Sequence, residues 1–459
     1  MKRRDALKTM GALAGAAAVP KFLGGCGNQD GGETGITTVV TVMMENRSYD
    51  HYMGARSWLE GMPGNGLSDA LSNPRRSGEL VSPYRETDLA LDEDPPHEWS
   101  SSRLQWNDGA NDGFVTQHQN RFGSGVAPHP MGYLTREELP FLYAMADVGA
   151  SCDAWYSSVM GPTWPNRMYL LSGQSNGRTN NDFPTGGGFD WPTVFHQLDD
   201  AGIEWTFYYN DLPFLPLWKG IEPEGRVKRF FPDFFEDAEA GALPPVVFID
   251  PDFGVNDDHP PHHPILGQQF LASIYASLAS SPQWKNILFT ITYDEHGGFY
   301  DHVAPPTTAD DYAAQGFDQL GFRVPTVAIG PYVREGHVSS VVRDHTSVLA
   351  HLAAMHGLDP LTARQAAAND LSELLDLEAL AAGKPRKAPE LPAVEVPESL
   401  LRAAVLDRRS HPVDLELAAD AGHIPDIYDR RSNRDKLDAL YGIGEVLDKL
   451  GRGRVVRSR

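Results

Sequence analysis

Cysteine is almost missing from this chain of 459 residues, which holds only Cys26 and Cys152. With Cys26 falling in a targeting segment, the single remaining thiol can close no internal disulfide, so the fold must stand on its core. Long apolar runs are missing too: no internal stretch reaches the ~18 apolar residues of a membrane span. Positive charge is scarce, with 39 Lys and Arg against 62 Asp and Glu, a formal charge of −23. That balance disfavours a nucleic-acid partner and repels anionic substrates at long range. A phosphate-bearing substrate would need a local reversal of sign, which a metal ion supplies.

The first residues read as an address. Arg3-Arg4 precede a mild, Ala- and Gly-rich run from Met10 to Val19. This is the pattern of a signal peptide over 1–26, of the twin-arginine type although Ala6 stands where that signal usually has Phe. "LGGC", Leu23 to Cys26, resembles a bacterial lipoprotein box. The expectation is an exported periplasmic or cell-surface lipoprotein, touching the membrane only through a lipid on Cys26. Residues 27–35 form a Gly-rich tether. Cys152, in "GASCDAWY", reads as a buried structural thiol.

Beyond the tether, β-rich runs occur at Ile36–Val42, Trp205–Tyr209, Val246–Ile249, Ile287–Tyr293 and Val324–Ile329. Helical patterns lie between them. "LGQQFLASIYASLASS" places Leu266, Phe270, Ile274 and Leu278 on one face, and "DHTSVLAHLAAMHG" ends on a glycine stop. Buried strands alternating with helices predict an α/β domain over 36–361, with a mainly parallel sheet covered on both faces. Residues 53–135 lack periodicity and read as long loops. Residues 362–459 read as a Pro-rich linker followed by a peripheral helical tail with a solvated end.

Parallel sheets place their chemistry beyond the carboxyl ends of the strands. Two such ends carry paired oxygen donors: Glu45-Asn46 in "MMENRSYDHYMG" and Asp294-Glu295 in "DEHGGFYDH". Three converging carboxylates repel one another unless a cation joins them. An all-oxygen shell favours Ca, Mg or Mn over Zn. Taken singly, each acid is better explained as a cap or a surface pair; their matched placement after two buried strands favours a metal. A third stretch, "GPTWPNRMYLLSG", puts Thr163 just before a proline suited to a first helical turn. A helix N-terminus there favours a phosphate, and a metal would activate the threonine hydroxyl as nucleophile. An ordinary capping role is the simpler alternative for Thr163. Ser172 and Ser175 are rival hydroxyls near the far end of the same helix. His97, His259, His302 and His345 all fall in loops rich in acids or proline; histidine can hold phosphoryl oxygens or protonate a leaving group.

"ENRSYDHYMG", "GPTWPNRMYLLSG", "NDDHPP" and "YDEHGGFYDHVAPP" occur in that order. Together they resemble the bacterial phosphoesterase family of phospholipases C and secreted acid phosphatases, within the alkaline phosphatase superfamily. The resemblance runs from about Ile36 to His356. It implies a three-layer α/β/α sandwich. It implies one divalent metal held by Glu45, Asn46, Thr163, Asp294 and Glu295, with Thr163 as the nucleophile that forms a phosphothreonine intermediate. It also implies that His97, His259 and His302 serve the phosphoryl group and the departing alcohol. Arg167 is either structural, the favoured reading, or faces the phosphate. Larger phospholipases C carry C-terminal β-domains, for which this chain has no β-rich counterpart. The substrate is therefore either a phospholipid or a small soluble phosphate ester. Trp99, Trp106 and Trp164 would pack around a choline head group or simply anchor loops. Sulfatase chemistry is disfavoured, because no Cys or Ser stands at position 163. A non-catalytic surface binding protein of the same fold is the third alternative.

Overall fold

A computed structural model describes residues 35–457 apart from 223, 407–413 and 429. The signal peptide, Cys26 and the tether up to residue 34 lie outside the described residues. The core is an eight-stranded sheet built from β1 (Thr38–Met44), β2 (Ala150–Cys152), β3 (Trp205–Tyr209), β4 (Val227–Arg229), β5 (Val246–Ile249), β6 (Ile287–Tyr293), β7 (Val327–Ile329) and β8 (His337–Ser339). Its order is β8-β2-β7-β6-β1-β5-β3-β4. Every pairing is parallel except those of β7, which runs against both β6 and β2.

Every residue of β1, β3, β5 and β6 is buried. These strands are apolar on both faces, so both faces must be covered. Two groups of helices do this. The first is α1 (Pro140–Val148), α4 (Pro264–Ser280) and α8 (Asn433–Lys449), which pack together. The second centres on α2 (Thr163–Ser172), packed against α3 (Val194–Asp200) and α5 (Thr346–His356). The expected α/β sandwich with a mainly parallel sheet is therefore present. β2, β4 and β8, three residues each, escaped the sequence reading because so short a strand carries no period to detect.

Two expectations need correction. Residues 53–135 are not only loops. They include helices Trp99–Trp106 and Phe114–Phe122, and Phe114 and Val115 build a second apolar cluster with Met131, Tyr133, Tyr300 and Phe322. The C-terminal region is not peripheral either. Within the stretch expected to be a linker, β9 (Val394–Pro397) alternates buried and exposed residues and pairs in parallel with β10 (Gly453–Val456). α6 (Glu398–Leu406), α7 (Asp414–Asp420) and α8 contribute Leu401, Leu415, Leu440, Ile443 and Leu447 to the main core. The stripe Leu440–Ile443–Leu447 has helical spacing, which the polar composition around it hid. Gly442 permits a close approach: a Cβ there would lie 2.1 Å from the Phe231 ring.

Cys152 is buried, as expected, and burial pushes its thiol up to about 12. In a Cys26→Ser background, Cys152 should resist a thiol reagent at pH 8 in the native protein and react at once after denaturation. Fast native labelling, followed by absorbance, would contradict its placement.

Candidate active site

β1 and β6 are neighbours in parallel register, with Met44 opposite Tyr293. The next residues of each chain are Glu45-Asn46 and Asp294-Glu295, so the two donor pairs leave the sheet side by side. Backbone bonds then lock them together. The Asn46 N–H donates to Asp294 Oδ1 at 2.9 Å, and the Arg47 N–H to the Glu295 carbonyl at 3.0 Å. Asn46 adopts a positive φ of 58°, a conformation that asparagine tolerates better than most residues. Gly297, at φ 60°, passes so near that a Cβ would lie 2.1 Å from the Asn46 carbonyl oxygen. The "EHGG" spelling thus answers a close backbone approach.

The donors are deeply buried, with Asn46, Asp294 and Glu295 at 0% exposure. Asp294 Oδ1 also accepts from the Glu295 N–H, and Glu295 Oε2 from the Gly297 N–H. The remaining oxygens, Asn46 Oδ1, Asp294 Oδ2 and Glu295 Oε1, are buried with no hydrogen-bond partner. Unpaired buried carboxylate oxygens are costly, and here they belong to the very residues expected to hold a cation. Burial holds the carboxyl of Glu45 well above its ordinary range; Arg167 opposes this, and Asp294, Asp257 and Glu295 add to it. Burial likewise raises Asp294 and Glu295. A divalent ion fits this shell: it would satisfy the orphaned oxygens and neutralise the clustered acids, and the all-oxygen donor set suits Ca, Mg or Mn.

Glu45 opens on a cavity of about 330 Å³, whose wall also includes His97, Thr163, Arg167 and His259. Thr163 is half-buried in the first turn of α2, at the end facing the cavity. Asn166 stitches this turn to the loop before it, donating through Nδ2 to the carbonyls of Gly161 and Pro162. The Trp164 N–H is taken by Asn181 Oδ1 at 2.9 Å. Ser172 is not on the cavity wall; its buried hydroxyl donates to the Met168 carbonyl of its own helix and accepts from Trp191 Nε1. Ser175 Oγ is likewise bonded, to the Arg178 carbonyl. Arg167 is an anchor: it pairs with Glu45 at 3.2 Å and Asp250 at 3.1 Å, and donates to the Met43 carbonyl.

The histidines divide. His97 Nδ1 bonds the Pro95 carbonyl, and its Nε2 lies 3.3 Å from Asn46 Nδ2. Burial works against protonating His97, but Glu295 and Asp94 outweigh it and raise its pKa to about 9. The His97 and His259 rings meet edge to face at 5.9 Å. Burial lowers His259. His302 is elsewhere: Asp50 holds its Nδ1 at 2.7 Å and Asn65 its Nε2 at 3.1 Å, and it is not part of the cavity wall. The resemblance placed His302 with the site, but the positive-φ pair Gly297-Gly298 turns the chain before it. His345 is buried behind the site and bonds the Asp294 carbonyl through Nε2 at 2.7 Å.

Sequence reasoning missed Asp94, His262 and Asp257. Asp94 lies between the cavity histidines, 3.6 Å from His97 and 4.0 Å from His259. His262 and Asp257 pair at 2.6 Å. The spellings "DEDPPH" and "NDDHPPHH" held these residues, but clustered acids and histidines in polar loops are common without a role. Of the tryptophans, only Trp164 reaches the cavity; Trp99 packs under Arg103 and against Phe317, and Trp106 packs on the second cluster.

Residues 36–359 match the model of the Phosphoesterase family. The chain belongs to that family. It is 34% identical over 363 residues to "Non-specific phospholipase C1" of Arabidopsis thaliana, an alignment covering 72% of this chain and 66%, just under two thirds, of that relative. It is 31% identical over 432 residues to "Phospholipase C A" of Mycobacterium tuberculosis, covering 78% of this phosphoesterase-family chain and 81% of the relative. A solved protein of the alkaline phosphatase superfamily from Vibrio parahaemolyticus superposes with a TM-score of 0.34 at 13% identity, over 52% of this chain and 65% of that one.

Proposed function

We propose that this chain is a divalent-metal-dependent hydrolase of phosphate esters, of phospholipase C type, with Thr163 as nucleophile. The observation that carries this reading is the register of β1 and β6. It brings Glu45, Asn46, Asp294 and Glu295 together with three unpartnered buried oxygens, behind a cavity that also exposes Thr163. The family membership and the phospholipase C relatives support the reaction class. The ion, held by these four residues and Thr163, would supply positive charge for the phosphoryl oxygens and favour the deprotonated form of the Thr163 hydroxyl.

Thr163 Oγ1, its proton passed to solvent, attacks phosphorus, the bond to the alcohol oxygen breaks, and a phosphothreonine forms. The dipole of α2 stabilises the charge that develops at its N-terminus. His97 or His259, the histidines on the cavity wall, donates a proton to the departing alcohol. Water then attacks phosphorus, giving one proton to the histidine left neutral by the first step; the Thr163 oxygen leaves and takes up a proton from solvent, and a phosphomonoester or phosphate is released. Asp94, between the two histidines, orients them.

His97→Gln should therefore slow esters of ordinary alcohols by about a hundredfold, and p-nitrophenyl esters much less, since nitrophenolate leaves without a proton. Equal losses on both substrates would remove His97 from the acid role. The second reading is a phosphomonoesterase of the secreted acid phosphatase type. Comparing phosphatidylcholine, p-nitrophenyl phosphate and p-nitrophenyl phosphorylcholine, with chelated and metal-reloaded protein, separates the two. Export through the twin-arginine signal and anchoring at a lipidated Cys26 complete the proposal. Fatty-acid labelling that survives Cys26→Ser would contradict the anchor.

A further inference from the structure

The cavity has a wall that the family-matched segment does not supply. That segment ends at residue 359, yet Asp414, Leu415 and Leu417 of α7 line the same cavity as Thr163 and Trp164. Asn181 joins the two elements. Its Oδ1 accepts the Trp164 N–H in the first turn of α2, and its Nδ2 donates to Asp414 Oδ2 at 2.7 Å. The inner side of α7 is firmly seated: Leu415 is 3% exposed within the main core. Glu416 pairs with Arg430 at 2.5 Å and lies 3.7 Å from Lys436, and Asp420 pairs with Arg430 at 3.1 Å. Leu417 differs, being 40% exposed on the cavity rim. Phe214 and Phe253 line the same cavity.

We propose that α7 is a specificity-determining wall, in which Leu417 contacts the organic group of the ester and favours substrates with an apolar chain beside the phosphate. The inference rests on the proposed hydrolytic function and deepens it. A leucine held at the rim by a fixed helix, with aromatic rings across the same cavity, gains contact from a glycerolipid chain that a bare phosphomonoester cannot offer. An acidic side chain at position 417 would replace that contact with a solvated charge that an acyl chain must avoid.

The test uses the full chain loaded with metal, and measures kcat/KM for dihexanoylphosphatidylcholine and for p-nitrophenyl phosphorylcholine, a diester that carries no acyl chain. Leu417 lies outside the packed core, so Leu417→Asp should fold with an unchanged melting temperature; Leu417→Ala serves the same readout if it does not. The ratio of the lipid rate to the aryl rate should fall on the order of tenfold in Leu417→Asp, mainly through KM, and should recover in Leu417→Met. An unchanged ratio in Leu417→Asp and Leu417→Ala, with the wild type active, overturns the inference alone. A wild type inert on both esters overturns the proposed function and this inference together.

Discussion

Thr163→Ala should lower kcat by about ten-thousand-fold or more on every phosphate ester the wild type cleaves, with the fold unchanged. The site can still bind substrate, because Glu45, His97 and His259 remain on the cavity wall. What is lost is the only hydroxyl at the cavity end of α2 that could bond to phosphorus. Alanine is also the better helix former in the first turn, so the variant should melt no lower than the wild type. Thr163→Ser keeps an oxygen on Cβ and should retain a measurable fraction of activity. Quenching the wild type during turnover and mapping the phosphopeptide should place phosphate on Thr163. Substantial turnover by Thr163→Ala, or phosphate on another residue, would reject the nucleophile.

Removing the metal should have an effect of similar size. The shell of Glu45, Asn46, Asp294 and Glu295 buries three carboxylates, and their mutual repulsion adds to the cost of burial. Chelation should abolish turnover, and Ca, Mg or Mn should restore it more fully than Zn. Asp294→Asn separates catalysis from stability. It should cost about a thousandfold or more in activity, yet raise the melting temperature of the chelated protein, since one of the clustered charges is gone. Scanning calorimetry with and without metal reads both signs. A chelated Asp294→Asn that melts lower than chelated wild type would mean that the acids do not repel as placed.

The sequence carried the central layers of this fold because β1, β5 and β6 are continuous apolar runs and α4 keeps one apolar face. It carried the donor pairs because two strand ends hold adjacent oxygen donors. It could not show that those ends are neighbours; that follows from the register of Met44 against Tyr293. The resemblance put His302 with the site, but the path of the chain to it depends on the turn at Gly297 and Gly298. The sequence reading also misjudged the C-terminal region, where burial is set by long-range partners. Asp414 meets Asn181, and Lys436 meets Asp211 at 2.7 Å. A charged helix with a narrow apolar stripe looks the same whether it lies on a surface or closes a cavity.

The most direct test of the account is metal content, by elemental analysis, of the wild type and an Asn46→Ala/Glu295→Gln variant after equal loading and desalting. About one equivalent of a divalent ion is expected in the wild type, and little in the variant at an unchanged far-ultraviolet spectrum. A folded variant that keeps the full equivalent would contradict a cation held between these two strand ends.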